Sequence, residues 1–260
     1  MKFPTAFDTS LGANFAETQC ADYFDTFLAN GSFVACRPIS FLLTNSRSYF
    51  AAVKKGQNVT EQVVDQACSV DKHHCQAVMD DLDRQLMSKC KKDFKEETQI
   101  VQVAHRDFLA YEMVHDATCL RNTNTTNSTA SSPKYCYTEA LFGKNSSDTA
   151  DGYLYLLPVG YSMPDATAVN DTNFPDDTKP SCSSCNRRLL DLLHDYSNHS
   201  GVDIANLYSD AAKTMNSQCG SGFANPKPLE KTADNGAMSL RLPVNLLIVV
   251  ILLWSSLMLA

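Results

Sequence analysis

Residues 72–92, KHHCQAVMDDLDRQLMSKCKK, have the clearest pattern in the chain. Their apolar side chains recur at steps of three and four, which is the spacing of one face of an α-helix. We therefore predict a long amphipathic helix that carries Cys75 and Cys90 on its apolar face. About fifteen residues of helix separate the two cysteines by about 22 Å, whereas a disulfide needs Cα atoms within about 7 Å. Each cysteine must therefore bond to a different neighbouring segment.

Helical spacing recurs along the chain, while the strict alternation of a half-buried strand is scarce. Only residues 152–163 (GYLYLLPVGYSM) have extended character. The pattern predicts an all-α fold: a single disulfide-stapled helical domain with long glycosylated loops, followed by a C-terminal hydrophobic helix or signal. Further helices are predicted at residues 20–28, 39–53, 60–67, 98–120, 135–142, 184–198 and 202–219, with Thr60 as the N-cap of its helix.

The domain organisation follows from this pattern and from the composition of the C-terminal part. Residues 1–225 are predicted to form a cysteine-rich helical ectodomain, and residues 226–241 a linker. Residues 242–260 form a hydrophobic tail without any charged side chain, and residues 246–253 within it are entirely aliphatic. A stretch of this kind is either a membrane span or a signal that membrane machinery reads.

The residues before the tail favour a signal for a glycosylphosphatidylinositol (GPI) anchor. Three small residues, Asn235-Gly236-Ala237, precede a short spacer and then the apolar terminus, which is the order of a GPI signal. We predict attachment at Asn235, with Asp234 as the second choice, and removal of the tail. A retained transmembrane helix is the first alternative, because nineteen residues can just span a bilayer core of about 30 Å. A buried core helix is the second, although the tail has no polar face.

The cysteines indicate an oxidising compartment. The chain has ten cysteines, an even number, with none in the tail. In a secreted chain this count predicts five disulfide bonds, and the spacing leaves their pairing open. The predicted half-cystines are Cys20, Cys36, Cys68, Cys75, Cys90, Cys119, Cys136, Cys182, Cys185 and Cys219.

Glycosylation triplets support the same compartment independently. Seven Asn-X-Ser/Thr triplets occur, more than chance supplies for this composition, and such triplets accept N-linked glycans in the secretory pathway. Two of them lie close to apolar segments, and two lie in the polar loop over residues 121–133. The predicted sites are Asn30, Asn58, Asn124, Asn127, Asn145, Asn170 and Asn198.

Net charge and composition bear on the partners. The chain has 22 basic and 29 acidic residues, for a formal net charge of −7, and no long run of lysine or arginine. This argues against a nucleic acid partner. The expected partners are the membrane, through a GPI lipid or a C-terminal helix, and wall polysaccharide or other surface proteins.

Short motifs give little sign of chemistry. Cys182-Ser183-Ser184-Cys185 has the spacing of a thiol redox site, but such sites need a βαβ context that is missing here. We therefore interpret the two cysteines as structural, bonded to each other or to different partners. His73-His74-Cys75 could supply half of a zinc site, although disulfides fit an oxidising compartment better.

The remaining histidines and carboxylates form no recognisable site. His105 could form an acid–base set with Asp107 and Asp116, although all three are ordinary polar residues of one predicted helix. No nucleophile elbow, phosphate loop or His-Glu-X-X-His motif occurs. We predict no catalytic, cofactor-binding or metal-ligating residue.

Several segments together carry a family resemblance. The opening PTAFDTSLGANF at residues 4–15 is followed by Cys20 and Cys36, and later by Asp151-Gly152-Tyr153, the Cys182–Cys185 motif and Cys219-Gly220. These segments resemble a fungal family described only as a domain of unknown function, DUF7729. The resemblance implies a secreted protein, in many members with a C-terminal GPI signal, and it implies no activity.

The N-terminus conflicts with secretion as it stands. Residues 1–15 contain Pro4 and Asp8 and no apolar run of seven, so they are not a signal peptide. Members of the family usually carry a leader before the Phe-Asp-Thr-Ser-Leu-Gly block. We therefore expect the signal peptide to be missing through a truncated gene model, and the protein to reach the extracellular face of the plasma membrane or the cell wall.

These observations favour a fungal surface glycoprotein that is not an enzyme and serves cell-wall organisation or surface interaction. One alternative is a secreted hydrolase acting on lipid or wall polysaccharide. Another is a module that binds an apolar ligand between helices.

Overall fold

The computed structural model describes residues 1–8, 14–123, 132–143, 148–163, 180–199 and 204–229. Within these ranges the chain is helical without any strand, and one isolated antiparallel bridge pairs Arg121 with Tyr135. The predicted all-α class is confirmed. The predicted tail and the attachment site Asn235 lie outside the described residues. Among the helices that are described, none has the length and apolar character needed to cross a membrane.

The described residues form twelve α-helices and two 3-10 helices. The 3-10 helices are Ile39–Phe41 and Gly152–Val159. The α-helices are α1 (Thr18–Leu28), α2 (Gly31–Ala35), α3 (Arg47–Lys54), α4 (Gln57–Ala67), α5 (Lys72–Lys89), α6 (Lys91–Lys95), α7 (Gln99–Leu109), α8 (Tyr111–Cys119), α9 (Cys136–Phe142), α10 (Asp148–Asp151), α11 (Ser184–Asp195) and α12 (Ile204–Cys219).

The chain divides into two compact units, residues 1–116 and 117–260. The sequence patterns did not predict this division within residues 1–225. The boundaries that they did predict, at residues 225 and 241, stay predictions.

Helix α5 lies at the centre of the first unit, in contact with α1, α2, α6 and α7. Its buried face carries Cys75, Met79, Leu82 and Leu86, as the helical spacing predicted. Cys75 bonds to Cys36 after α2, and Cys90 at the C-terminal end of α5 bonds to Cys20 in α1. The prediction that these two cysteines bond to different neighbours is therefore confirmed.

A phenylalanine cluster fills the core beside α5. Its rings meet mostly edge to face, with centroid distances of 5.3 Å for Phe27–Phe33, 5.1 Å for Phe33–Phe41 and 4.7 Å for Phe41–Phe108. Edge-to-face pairs add about 0.5–1.5 kcal/mol each to the burial of the rings. The six fully packed members are Phe7, Phe24, Phe27, Phe33, Phe41 and Phe108.

The Phe-Asp pair of the N-terminal block is tied to this core. The Phe7 ring packs against Phe24 and Phe41, with the Phe7 backbone at φ 50°. The Asp8 carboxylate accepts hydrogen bonds from the backbone N–H groups of Arg47 and Ser48, at 2.5 and 2.9 Å. A side chain far away in sequence thus accepts hydrogen bonds from N–H groups in the first turn of α3, which have no partner within the helix.

Two of the predicted long helices are interrupted. Residues 39–53 form a 3-10 turn and then α3, because Ser46 accepts a hydrogen bond from the Tyr49 N–H and so begins a new helix. Residues 98–120 form α7 and α8, with Ala110 as the C-cap of α7. The apolar spacing continues through both breaks, so periodicity alone did not locate them.

Two local predictions are wrong for physical reasons. Thr60 is not an N-cap, because α4 begins after Gly56, whose φ of 98° suits glycine, and the Thr60 hydroxyl donates to the Gly56 carbonyl. The segment predicted as extended is the 3-10 helix Gly152–Val159, which is buried on nearly every side. A uniformly apolar run does not show by periodicity whether it is a strand or a helix.

The second unit contains α9 to α12 and the second 3-10 helix. Cys185 in α11 bonds to Cys136 in α9, and Cys182 just before α11 bonds to Cys219 at the end of α12. After α12 the chain returns along the same helix. The Asn216 side chain there bonds both the N–H and the carbonyl of Ala224.

The capping role of Asp8 can be tested by Asp8→Ala. This substitution should lower the free energy of unfolding by about 1 kcal/mol, because two N–H groups of α3 lose their acceptor. Chemical denaturation of the purified protein measures the change. Asp22→Ala, on the exposed face of α1, is the matched control and should shift stability by less than about 0.5 kcal/mol. Equal effects of the two substitutions would contradict the role.

The disulfide pattern can be tested by mass spectrometry of peptides from the unreduced protein. We expect linked peptides for Cys20–Cys90, Cys36–Cys75, Cys136–Cys185 and Cys182–Cys219. A reduced aliquot should lose all four species. A direct bond between Cys182 and Cys185 would show that the arrangement around α11 is wrong.

Candidate functional site

The cysteines are all engaged in disulfide bonds. None of the ten is free, and Cys68 and Cys119 are disulfide-bonded like the other eight. The two cysteines of the Cys-X-X-Cys motif bond to different partners, Cys219 and Cys136, which is one of the two structural interpretations offered above. The motif therefore fastens α11 to two other helices.

The predicted glycosylation sites that the structure describes are compatible with glycans. Asn58 is exposed in the first turn of α4, and Asn198 is half-buried after α11. The side-chain Oδ1 atom of Asn30 caps α2 by accepting hydrogen bonds from the backbone N–H groups of Ser32 and Phe33, at 2.9 and 3.2 Å. A glycan attaches to the amide nitrogen, so capping and modification can coexist at this residue. Asn124, Asn127, Asn145 and Asn170 lie outside the described residues, and occupancy of all seven sites stays a prediction.

A histidine–aspartate pair joins α5 to α7. His105 Nδ1 lies 2.6 Å from Asp83 Oδ1, with the side chains 14% and 6% exposed. The Phe94 and His105 rings are nearly perpendicular, with their centroids 5.4 Å apart. The structure thus does not assemble the set considered above, since His105 bonds to Asp83 and not to Asp107 or Asp116.

The sequence pattern gave no reason to pair Asp83 with His105, because this aspartate was left out of the apolar stripe of the predicted helix. Its position, four residues after Met79 and three before Leu86, was the signal that it shares their buried face. A carboxylate on Nδ1 orients an imidazole and fixes its tautomer. Within the described residues, however, His105 has no hydrogen bond to a serine, threonine or cysteine. In the described part of the chain the pair joins two helices, α5 and α7.

An ion-pair cluster lies where α5 begins. The Lys72 ammonium group contacts Glu112 at 3.1 Å and Asp116 at 2.8 Å. Burial acts to lower the pKa of Lys72, but the hydrogen bonds to the two carboxylates outweigh it, and the pKa is raised. Lys72 therefore stays protonated as a structural cation.

Asp107 is a buried carboxyl group in α7. Burial raises its pKa well above the ordinary value, and the neighbouring positive charge of Arg106 offsets only part of that effect. The Asp107 Oδ2 atom has no hydrogen-bond partner within the described residues.

In the second unit, burial raises the pKa of Tyr208 to about 12, and its hydroxyl donates to the Asn225 carbonyl at 2.5 Å.

The described residues do not assemble a metal site. No group of three or more histidine, cysteine, aspartate or glutamate side chains lies together among them. His73 and His74 are exposed at the start of α5, and Cys75 is bonded to Cys36. The half of a zinc site that these three residues could supply is therefore without the Cys75 thiolate.

A pocket in the first unit, which we call the N-terminal pocket, is a candidate site. It has a volume of about 320 Å³ and is lined by residues 2–6, residues 33–35, Leu28, Arg37, Pro38, Leu42 and Gln66. Ligand pockets are concave, mostly apolar and about 300–1,000 Å³ in volume, so this one is at the small end of that range. No motif predicted this pocket, because it forms where residues 2–6 lie beside α2.

Comparison with known proteins gives one result. A family model described as a domain of unknown function (DUF7729) matches residues 2–228. No curated protein and no solved structure matches the chain.

The state of Asp107 gives a pH-dependent prediction. Since the folded pKa is raised, the folded protein holds this proton more tightly than the unfolded chain. The stabilisation is fully present below the unfolded pKa of about 3.9 and is lost as the pH rises through the folded pKa. Asp107→Asn keeps the size and removes the titration, so its stability relative to the wild type should increase from pH 4 to pH 8, on the order of 1 kcal/mol.

Denaturation curves at a series of pH values measure this difference. Asp22→Asn, an exposed carboxylate on α1, is the control and should give no comparable trend. A pH-independent difference between Asp107→Asn and the wild type would show that Asp107 is ionised in the folded protein.

Proposed function

The chain belongs to the family described as a domain of unknown function (DUF7729), and we propose that it works as a fungal cell-surface glycoprotein. In this proposal a disulfide-stabilised helical body is displayed outside the cell and is tethered by a GPI lipid. It serves cell-wall organisation or surface interaction, and it acts by binding and not by catalysis.

The observation that carries the proposal is the state of the cysteines. All ten are in disulfide bonds, and the described bonds connect helices distant in sequence. Such frameworks form and persist in oxidising compartments and are rare in the cytosol. A cytosolic role would leave this framework reduced.

The arrangement of the polar groups supports a binding role. Two of the buried or half-buried polar clusters described above join helices, namely the His105–Asp83 pair and the Lys72 cluster. In the second unit, Asp151 at the end of α10 accepts from both the N–H and the hydroxyl of Ser181 and so fixes the segment before α11. Groups committed to such contacts stabilise the body, and the outer surface is available for wall polysaccharide or other surface proteins.

The tether and the glycans rest on the sequence. The order of small triplet, spacer and apolar terminus supports GPI attachment at Asn235, and the exposed Asn58 supports N-glycosylation of the folded body. Both features require passage through the endoplasmic reticulum, as the disulfides do.

Phosphatidylinositol-specific phospholipase C provides the direct test. Treatment of intact cells should release the protein into the medium, because the enzyme cuts the lipid from the anchor. Immunoblotting of medium and membranes measures release, and heat-inactivated enzyme is the control. Peptide:N-glycosidase F should then increase the mobility of the released protein, with a smaller shift for Asn58→Gln.

If the protein stays in the membrane fraction while another GPI-anchored protein is released, a transmembrane helix and not a GPI lipid holds it in the membrane. Recovery of the protein from cytosol with reduced thiols would overturn the proposal as a whole.

A further inference from the structure

The N-terminal pocket has an apolar wall that continues to the surface. Phe33, Pro38 and Leu42 are buried in its lining, whereas Val34 is 55% exposed. Large exposed apolar side chains are few among the described residues, and only Val34 of these lines the pocket. Because Val34 is continuous with the buried apolar wall, an apolar ligand in the pocket would contact both.

The charge of the pocket is opposite to that of the chain. Its lining includes Lys2 and Arg37 and no acidic side chain, although the chain has a net charge of −7. One guanidinium nitrogen of Arg37 donates to the Gln66 carbonyl at 3.2 Å, which holds the group beside the pocket. Because a guanidinium has five N–H donors in a planar fork, it can also bind a carboxylate through two parallel hydrogen bonds.

The backbone at Arg37 is held in an unusual conformation. Its φ of 48° is in the left-handed region, which residues other than glycine and asparagine rarely adopt. Cys36, on one side, is bonded to Cys75 in α5, and Pro38 on the other side restricts the chain further. Strained backbone persists where the surrounding structure fixes it, and it concentrates at ligand sites.

From these three observations we propose that the N-terminal pocket binds a medium-chain fatty acid. The acyl chain lies against Phe33, Val34 and Leu42, and the carboxylate is bound by Arg37, with Lys2 adding a second positive charge. The small volume of about 320 Å³ favours a single chain of medium length over a long or branched lipid.

Isothermal titration with decanoate tests the proposal on the mature protein purified from its own cells. Decanoate should bind saturably with one molecule per chain. Decyltrimethylammonium has the same chain and a cationic head, and it should bind at least about tenfold more weakly, because opposite charges are attracted and like charges repelled at Arg37 and Lys2. Acetate has the head without the chain and should give no measurable heat.

Matched variants locate the site. Val34→Asp should weaken decanoate binding by about tenfold or more, since it places a carboxylate in the apolar wall. Its control is Met87→Asp on α5, also an exposed apolar residue at 42%, which should leave binding within about twofold. Circular dichroism confirms that both variants are folded, as expected for substitutions at exposed positions.

A second pair of variants tests the carboxylate contact. Arg37→Gln should weaken decanoate by about tenfold, whereas Arg37→Lys, which keeps the charge, should restore part of the loss. Lys55→Gln removes an exposed lysine outside the pocket and should have no effect.

Three outcomes would overturn the proposal: no saturable decanoate binding, equal effects of Val34→Asp and Met87→Asp, or equal affinities for decanoate and decyltrimethylammonium. The measurement does not depend on the anchor or on the location of the protein. A negative result for fatty-acid binding can therefore be distinguished from a negative result for the surface-glycoprotein proposal.

Discussion

The covalent attachment of α5 at both ends is the constraint on which the first unit depends. Cys75 and Cys90 lie too far apart on one helix to bond to each other, so each fixes a different segment, α2 and α1 respectively. This brings Phe27 and Phe33 together, and the other phenylalanine rings pack around them. The same Cys36–Cys75 bond holds Arg37 in its left-handed conformation beside the N-terminal pocket. Core, N-terminal block and pocket thus follow from one helix and its two bonds.

The sequence predicted those parts of the fold that depend on local spacing. The buried face of α5 and the separate partners of Cys75 and Cys90 followed from helix geometry alone. The breaks before α3 and α8 were missed, because apolar spacing continues through them while a capping side chain or a change in backbone direction ends the helix. The 3-10 helix Gly152–Val159 was missed because a run that is apolar on all sides has no periodicity to interpret.

The candidate site was less predictable than the fold, since it depends on contacts distant in sequence. Asp83 and His105 come together only when α5 packs on α7, and the capping of α3 by Asp8 joins residues about forty positions apart. The N-terminal pocket requires residues 2–6 to lie beside α2, and no motif in either segment indicates that contact. Chemistry that arises from tertiary packing leaves no signature in the spacing of one segment.

The two bonds of α11 have a consequence for the resistance of the protein to proteolytic cleavage. Cys136–Cys185 and Cys182–Cys219 enclose overlapping stretches of the second unit. A single peptide-bond cleavage anywhere between Cys136 and Cys219 therefore leaves both fragments covalently joined. Such a nicked molecule gains only the water of hydrolysis, and its two fragments separate only when a reductant breaks the bonds.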